Sequence, residues 1–258
     1  TAPAEACRRA GRYTARPPEV PVPMLPTRLD KRLAELLGCP RGEARRYIEG
    51  GWVRVDGQVV EQPQAQVSTE TVEMDPAARD EKTERVTMLL AKPVDAAAHT
   101  LSALVTPETR SPLDAADMRP LQRHFHGLQL AASLPAADSG LVVVSQDPLI
   151  ISHLQQQLAR TEQEFLVDIQ GERAMWDLAR LQTGLKENGR TLPGCKISWQ
   201  SEQRLRFAGK GLYPRMLREA CAGASMQVVA IRRLRIGRVS LGKLAPGSWR
   251  YLGADERF

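Results

Sequence analysis

The sequence predicts an α+β protein made of a small helix-helix-hairpin domain and a larger domain with a mainly antiparallel, mixed sheet. Three observations predict this class. Leucines recur at helical spacing soon after the N-terminal region, an Asp-Gly pair joins two short β-type runs after them, and the later strands and helices do not repeat as regular β-α-β units. The 258 residues exceed one typical domain, so two domains are expected.

Composition narrows the class of protein further. Apolar residues make up 42% and charged residues 26%, which is an ordinary globular mixture and argues against wholesale disorder. No stretch approaches the roughly 20 apolar residues of a membrane-spanning helix, so we expect no membrane partner. The four cysteines form no C-x-x-C pair. A reducing compartment, the cytoplasm, therefore suits the chain best.

Residues 1–26 are typical of a flexible basic tail. Prolines stand at positions 17, 18, 21, 23 and 26, and arginines at positions 8, 9, 12 and 16. Such a density of prolines prevents a regular element, and the arginines favour contact with a polyanion. The same Arg-rich, acid-poor composition also fits an organelle transit peptide, and that alternative stays open.

Residues 27–70 carry the pattern of the small domain. Leu29, Leu33, Leu36 and Leu37 form one helical stripe that ends at Gly38, and Pro40 suits the first turn of a second helix. Ala44, Tyr47 and Ile48 give that second helix an apolar face, while its arginines lie off it. A hairpin follows, with Asp56-Gly57 between residues 52–55 and 58–60.

This order resembles the S-four (alpha-L) RNA-binding domain. The residues that carry the resemblance are Arg28-Leu29-Asp30-Lys31, Arg41, Ala44-Arg45-Arg46, Ile48, Gly51 and Val53-Arg54-Val55-Asp56-Gly57. It implies contact with structured RNA through the second helix and hairpin, and the candidate contacts are Arg28, Lys31, Arg32, Arg41, Arg45, Arg46 and Arg54. Arg41 and Arg45 share a helix face, and guanidinium groups suit phosphates. The alternative is an arginine-rich helical hairpin that only packs on the next domain.

Residues 71–86 are predicted to be a linker. They are polar and acidic, with Asp75-Pro76 and the charged run 79–82. Beyond them the charge changes sign, because residues 204–258 hold 12 basic and only 3 acidic residues. With the basic residues 1–60, this block favours a phosphate-rich partner. The alternative is an ordinary solvated surface rich in arginine.

Residues 87–258 form the predicted large domain. Strands are expected at 86–91, 141–144, 165–169, 227–231 and 234–241, from their β-branched and apolar runs. Helices are expected at 150–158 and 216–221. The mixture indicates a mainly antiparallel sheet.

This domain resembles the RsuA/RluF-type pseudouridine synthases, which isomerise a uridine in structured RNA. The residues that carry the resemblance are Lys92-Pro93, Gly140-Leu141, Asp147, Glu162, Phe165-Leu166-Val167, Arg215-Met216-Leu217, Leu234-Arg235-Ile236-Gly237, Val239-Ser240-Leu241-Gly242, Trp249-Arg250 and Leu252. An S-four domain ahead of this domain is the usual architecture of that family, and together the two resemblances cover nearly all of residues 27–252. The resemblance to the synthases implies a ribosomal RNA partner and no cofactor or metal, because the isomerisation is redox-neutral. We expect a monomer.

The resemblance also implies a catalytic loop whose aspartate starts the reaction. Here the loop is Ala132-Ser133-Leu134-Pro135-Ala136-Ala137-Asp138-Ser139-Gly140-Leu141. Anchoring it on Gly140-Leu141 puts Pro135 at the aspartate position and Ser133 at that of an arginine, beside Leu134. Proline has no carboxylate to act as nucleophile or base. Phe165 replaces the tyrosine that stacks on the uracil, and Pro214, next to Arg215, replaces the cation that pairs with the aspartate.

These substitutions leave three hypotheses. The first is an RNA-binding pseudoenzyme with no intact catalytic residue. The second is an active synthase with a displaced acid, for which Asp138 is the candidate. The third is a protein-assembly factor in which the old pocket is only a structural core.

Overall fold

The computed structural model describes residues 25–80, 85–116, 118–170, 178–179, 181, 185–187, 190–191 and 194–258. The predicted tail, residues 1–26, lies outside the described residues except for its last two. The chain divides into two compact units, within residues 1–82 and within residues 83–258. Within the described part of the chain, no helix combines the length and apolar character that crossing a bilayer requires.

The described residues of the small unit, 25–80, form two helices and five short strands. They are β1 (Thr27–Arg28), α1 (Leu29–Leu37), α2 (Arg41–Glu49), β2 (Val53–Val55), β3 (Gln58–Val59), β4 (Gln66–Val67) and β5 (Val72–Met74). Leu29 and Leu33 on α1 are buried with Ala44 and Ile48 on α2, as the apolar spacing predicts. Gly38 ends α1 with a φ of 64°, a left-handed conformation that favours glycine.

The segment predicted to be a linker contributes a strand. β5 pairs with β2 in antiparallel fashion, and β2 also pairs with β3 across the Asp56-Gly57 turn. The backbone N–H of Thr71 donates to the Asp56 carboxylate at 2.8 Å, which ties β5 to that turn. β5 has three residues, of which only Val72 packs against the buried cluster. A strand of three residues is too short to show an alternation of apolar and polar residues, so the sequence does not predict it.

The described part of the large unit is built on one mixed sheet of nine strands, with a separate two-stranded hairpin. Its elements are β6 (Thr87–Lys92), β7 (Gln129–Ala132), β8 (Ser139–Ser145), α3 (Pro148–Gln157), β9 (Gln163–Gln170), β10 (Lys186–Glu187), β11 (Arg190–Thr191), β12 (Lys196–Ser201), β13 (Arg204–Gly209), α4 (Pro214–Gly223), β14 (Gln227–Ile236), β15 (Val239–Ser240) and β16 (Trp249–Tyr251). Four short 3-10 turns lie between Ala98 and Phe125.

The sheet runs in the order β12-β13-β9-β14-β8-β6-β16, with β7 on β8 and β15 on β14. Among the described pairings of this sheet, only β8 and β14 are parallel. The predicted α+β class with a mainly antiparallel, mixed sheet is therefore confirmed.

β14 is one continuous strand where the sequence predicts two. It carries Arg232, Arg233 and Arg235, which break the apolar alternation that marks a strand. Two register irregularities against β9 accommodate the run, between Val228 and Ala230 and between Arg233 and Arg235. A buried arginine inside a sheet is uncommon, so the sequence pattern does not reveal it.

Each face of the sheet has its own apolar cluster. One face carries Phe165, Phe207 and Ile231, which are buried with Met216 and Leu217 of α4. The other face carries Leu141 and Val143, which are buried with residues of α3, among them Leu154. The loop before β8 leads into Gly140, which pairs with Arg233 of β14. This loop contains the candidate site.

Candidate functional site

The candidate site is the loop of residues 133–138, which joins β7 to β8. A tight turn closes it, because the backbone N–H of Asp138 donates to the carbonyl of Pro135 at 3.1 Å. Ser133 and Pro135 are exposed, whereas Leu134 is buried in the cluster that contains Phe165. Pro135 therefore presents an apolar ring to solvent at the position where the resemblance expects a carboxylate.

Lys92 holds this loop from the end of β6. Its buried ammonium donates to the carbonyls of Asp138 at 2.6 Å, Ala136 at 2.8 Å and Pro93 at 3.0 Å. Burial lowers the pKa of Lys92, and Asp138 and Asp95 partly oppose that shift. The three carbonyls use all three of its donors, so Lys92 fixes the backbone of the loop and leaves no donor over for a substrate.

Arg233 holds the flanks of the same loop from β14. Its guanidinium donates to the carbonyl of Leu141 at 2.8 Å, to that of Ala132 at 3.1 Å and to the Gln163 amide oxygen at 3.3 Å. Burial lowers its pKa to about 9. The group keeps its charge at neutral pH and ties β7, β8 and β9 together.

Gly140 allows β14 to approach the loop. Its φ is +108°, and a Cβ placed there would lie 2.2 Å from the carbonyl oxygen of Arg233. Glycine is therefore required. In the sheet register Gly140 lies between Arg233 and Lys92, and Phe165 lies on the other side of Arg233. One row of the sheet thus places both buried cations beside the base of the loop.

Asp138 is the carboxylate of the site, and it is fully buried. Its side chain has an exposed fraction of 0%, and Arg218 contacts both of its oxygens, with N–O distances of 2.5 and 3.2 Å. Arg218 lies on α4, one helical turn after Pro214, and 37% of its side chain is exposed. A carboxylate–guanidinium pair therefore joins the loop to α4. Its carboxylate lies three residues after Pro135 on the loop, and its guanidinium lies four residues after Pro214 on α4.

Phe165 lies in the core and has no exposed surface. Its ring belongs to the same buried cluster as Leu134, Leu212 and Met216. Pro214 is buried at the first turn of α4, while Arg215 is exposed and pairs with Glu219 on its own helix. The described structure therefore brings Leu134, Phe165 and Pro214 into the core beneath the loop, and it leaves Ser133, Pro135 and Arg215 at the surface.

The predicted arginines of the small unit remain accessible but are mostly paired within the protein. Arg28 and Arg41 both contact the buried carboxylate of Asp30, with distances of 3.0 and 2.9 Å. Burial would raise the pKa of Asp30, but the hydrogen bonds from the two arginines outweigh it and the pKa is lowered. The two arginines therefore also stabilise the start of α1.

The other candidates lie on α1, α2 and β2. Arg45 pairs with Glu49 at 2.7 Å, and Arg46 pairs with Asp80. Lys31 lies 4.0 Å from Glu35. Arg54 donates to the carbonyl of Gly57, and Arg32 is partly exposed. The ion pairs of Lys31, Arg45 and Arg46 are solvent-exposed and weak. These cations can therefore leave their carboxylates and bind a phosphate instead.

Sequence reasoning missed Arg218 and Arg233. Arg218 is separated from Asp138 by 80 residues, and nothing local links the two. The one available signal is its spacing from Pro214, because residues four apart on a helix lie on the same face. Among the described residues, no group of three His, Cys, Asp or Glu side chains could hold a metal ion.

Comparisons with known proteins agree with this architecture. The S4 domain family matches residues 27–72. The chain is 26% identical over 235 residues to an uncharacterized RNA pseudouridine synthase of Aquifex aeolicus (strain VF5), which covers 89% of this chain and 94% of that protein. A crystal structure of a pseudouridylate synthase superposes with a TM-score of 0.52 at 19% identity, covering 87% of this chain and 95% of that one.

The chain therefore has an S4 domain, is similar in sequence to an RNA pseudouridine synthase and has the fold of a pseudouridylate synthase. These similarities fit the predicted resemblance to RsuA-type pseudouridine synthases that carry an N-terminal S4 domain.

Proposed function

We propose that this chain is an RNA-binding protein that keeps the scaffold of a pseudouridine synthase and does not isomerise uridine. The observation that carries the proposal is the state of the loop before β8. Pro135 stands where the family has its aspartate, and Asp138, the remaining carboxylate of the loop, has no exposed surface. A nucleophile or base has to touch the reacting atoms. Pro135 has no carboxylate, and the carboxylate of Asp138 is not accessible to a substrate as the loop stands.

The fixed geometry of Asp138 supports the inactive interpretation. Its carboxylate is bound at both oxygens by Arg218, and the carbonyl of the same residue is held by Lys92. Moving this side chain to a ribose would break the pair with Arg218, while Lys92 holds the backbone of the loop in place. A misplacement of about 1 Å already costs large factors in rate, and here the whole carboxylate faces inwards.

The position of Phe165 supports it as well. An enzyme that acts on a base in structured RNA must take that base out of its stack into a pocket. The ring of Phe165 is fully buried among Leu134, Leu212 and Met216. A uracil could stack on it only after Leu134 or its neighbours had moved.

RNA as the partner is supported by the S4 domain, by the similarity to an uncharacterized RNA pseudouridine synthase of Aquifex aeolicus and by the charge of the chain. The formal net charge is +6, and the candidate contacts on α1, α2 and β2 are solvent-accessible. Phosphate contacts of this kind bind with a strong dependence on salt. Our finer proposals are that the RNA is ribosomal, and that the chain acts as a cytoplasmic monomer.

One observation favours a second candidate function, an active synthase that uses Asp138. In the family that the chain resembles, the catalytic aspartate is paired with a basic residue, and Asp138 has such a partner in Arg218. More than a third of the Arg218 side chain is exposed, so an RNA phosphate could draw it away. That exchange would uncover the carboxylate.

The test uses the full chain with ribosomal RNA transcripts and measures two quantities. Binding is followed as salt is raised, and conversion of uridine is followed by release of tritium from RNA labelled at uracil C5. We expect salt-dependent binding without conversion. Conversion that Asp138→Asn abolishes, and that the control Asp147→Asn leaves intact, would establish the second candidate. Absence of salt-dependent binding would instead favour a protein-assembly factor.

A further inference from the structure

Among the described residues of the large unit, one face of the sheet carries accessible side chains along four strands, β12, β13, β9 and β14. Alternate residues of β13 and β9 are buried, and the residues between them are accessible, as expected when only one face of a sheet packs on a core. Every second residue of β12 is exposed as well. The helix α4 packs on the opposite face, with Phe165 and Phe207. We call the accessible side the open sheet face.

The pairing register shows which residues share the open sheet face. Residues directly opposite one another on neighbouring strands point to the same side. One row contains Ser198, Arg206, Leu166 and Arg232, and the row beside it contains Lys196, Ala208, Glu164 and Arg235. A third row contains Arg204, Asp168 and Ala230. Five cations and two carboxylates therefore share this face.

Ion pairs neutralise part of this charge. Arg204 contacts Asp168 at 2.5 Å, and Glu164 accepts from Arg206 at 2.6 Å and from Arg235 at 3.3 Å. Arg235 also contacts Glu162, at the edge of the face. Among the described residues, no carboxylate lies within ion-pair distance of Arg232 or Lys196. The hydrogen bond from Arg235 lowers the pKa of Glu162, and Lys196 lies close enough to that carboxyl to contribute, without forming an ion pair with it. The open sheet face therefore carries more cations than carboxylates among the described residues.

The shape and chemistry of the face select the kind of partner. A flat sheet can support RNA bases when aromatic side chains stack on them, but none of the residues in the three rows is aromatic. The centre is Leu166, surrounded by guanidinium groups. Guanidinium groups bind phosphates bidentately and carry no sequence information when they do so.

We propose that the open sheet face is a second RNA-binding surface that contacts the phosphate backbone, separate from the S4 domain and from the loop before β8. This inference rests on the proposed function only in that RNA is the partner. Its charge complements a polyanion, and Arg206, Arg232 and Lys196 lie on three different strands. Binding there is expected to depend on salt and not on base sequence.

The test replaces the two unpaired cations in the full chain, as the double variant Arg232→Gln with Lys196→Gln. These substitutions break no ion pair among the described residues, so the fold should persist, which an unchanged thermal midpoint would verify. RNA affinity is measured against salt concentration. We expect the log–log slope to become shallower by about 0.7–0.9 for each lost phosphate contact, and the loss of affinity to be similar for unrelated RNA sequences.

The control is a second double variant with the same loss of charge, Arg85→Gln with Lys243→Gln. Both residues are exposed and lie outside the four strands. An equal effect of both double variants would overturn the inference, because net charge alone would then explain it. An unchanged slope in the Arg232 and Lys196 variant would overturn it too, while the proposed function would stand if the wild-type chain binds RNA. A wild-type chain that binds no RNA would overturn both this inference and the proposed function.

Discussion

Asp138 and Arg218, which are 80 residues apart in the chain, form a bidentate pair that joins α4 to the end of the loop 133–138. The pair lies three residues after Pro135 and four residues after Pro214, the two positions where the sequence resemblance predicts an aspartate and its basic partner. A carboxylate and a guanidinium are thus paired here too, but the pair lies further along the loop and one turn further along α4, and its carboxylate is buried. In this position it holds α4 against the loop.

Removing the cation of this pair should destabilise the large unit. In Arg218→Gln, the buried carboxylate of Asp138 would lose both of its charged contacts. Breaking a wholly buried pair costs about 3–5 kcal/mol, and we expect about 2–3 kcal/mol here because Arg218 is partly exposed to water. Unfolding in urea measures the change. The double variant with Asp138→Asn should recover part of the loss, and an unaltered midpoint in the single variant would show that the pair does not form in solution.

Gly140 should tolerate no side chain. In Gly140→Ala, the added Cβ would meet the Arg233 carbonyl at 2.2 Å, at a φ of +108° that alanine avoids. We expect a loss above about 3 kcal/mol, or a chain that does not fold. Gly242→Ala is the matched control, because Gly242 also has positive φ, +58°, but nothing within 4 Å. That control should cost roughly 1–2 kcal/mol. Equal losses in the two variants would contradict the close approach of β14.

The fold was largely predictable because its signals are local. The leucine stripe of α1, the stop at Gly38 and the Asp56-Gly57 turn each lie within a few residues of one another, so the small unit could be assigned from them. β5 was missed, since three residues with one partly buried valine carry no period. β14 was divided in two because arginine is rare inside a sheet, and nothing local shows that Arg233 is buried.

The candidate site was predictable only in its position. The resemblance predicts the position of the loop, the prolines Pro135 and Pro214 and the candidate acid Asp138, but it does not predict that Arg218 pairs with Asp138. The partners of Asp138 and of the loop backbone come from α4, β6 and β14, which are far apart in the chain. Such contacts depend on tertiary packing, and periodicity does not report them.

His124 should make stability depend on pH. Burial, with a smaller contribution from Arg123, lowers its pKa from 6.5 to about 4, and its Nδ1 lies 2.8 Å from the Tyr251 hydroxyl. The unfolded chain binds a proton near pH 6.5 while the folded protein does not, so stability falls as pH drops from about 6.5 to 4. Above pH 6.5 this group has no effect.

The expected loss from His124 is about 3 kcal/mol between pH 7 and pH 4. His124→Gln should flatten this part of the pH profile, measured as the urea midpoint at several pH values and compared with the wild type. His153→Gln is the control, because His153 is exposed on α3. If both variants follow the wild-type profile, His124 is not held neutral by the fold.

Arg45 and Arg215 allow a paired test of which unit contributes the phosphate contacts to RNA. Both are exposed arginines that bind a glutamate four residues later on their own helix at 2.7 Å. Arg45 lies on α2 of the S4 domain, whereas Arg215 lies on α4. In Arg45→Gln we expect weaker RNA binding and a log–log salt slope shallower by about 0.7–0.9, as for one phosphate contact. Arg215→Gln removes an equal charge from an equivalent pair and should leave the slope unchanged. The reverse result would place the main RNA contact on the large unit, and α2 would then be an arginine-rich helix without a direct role in binding.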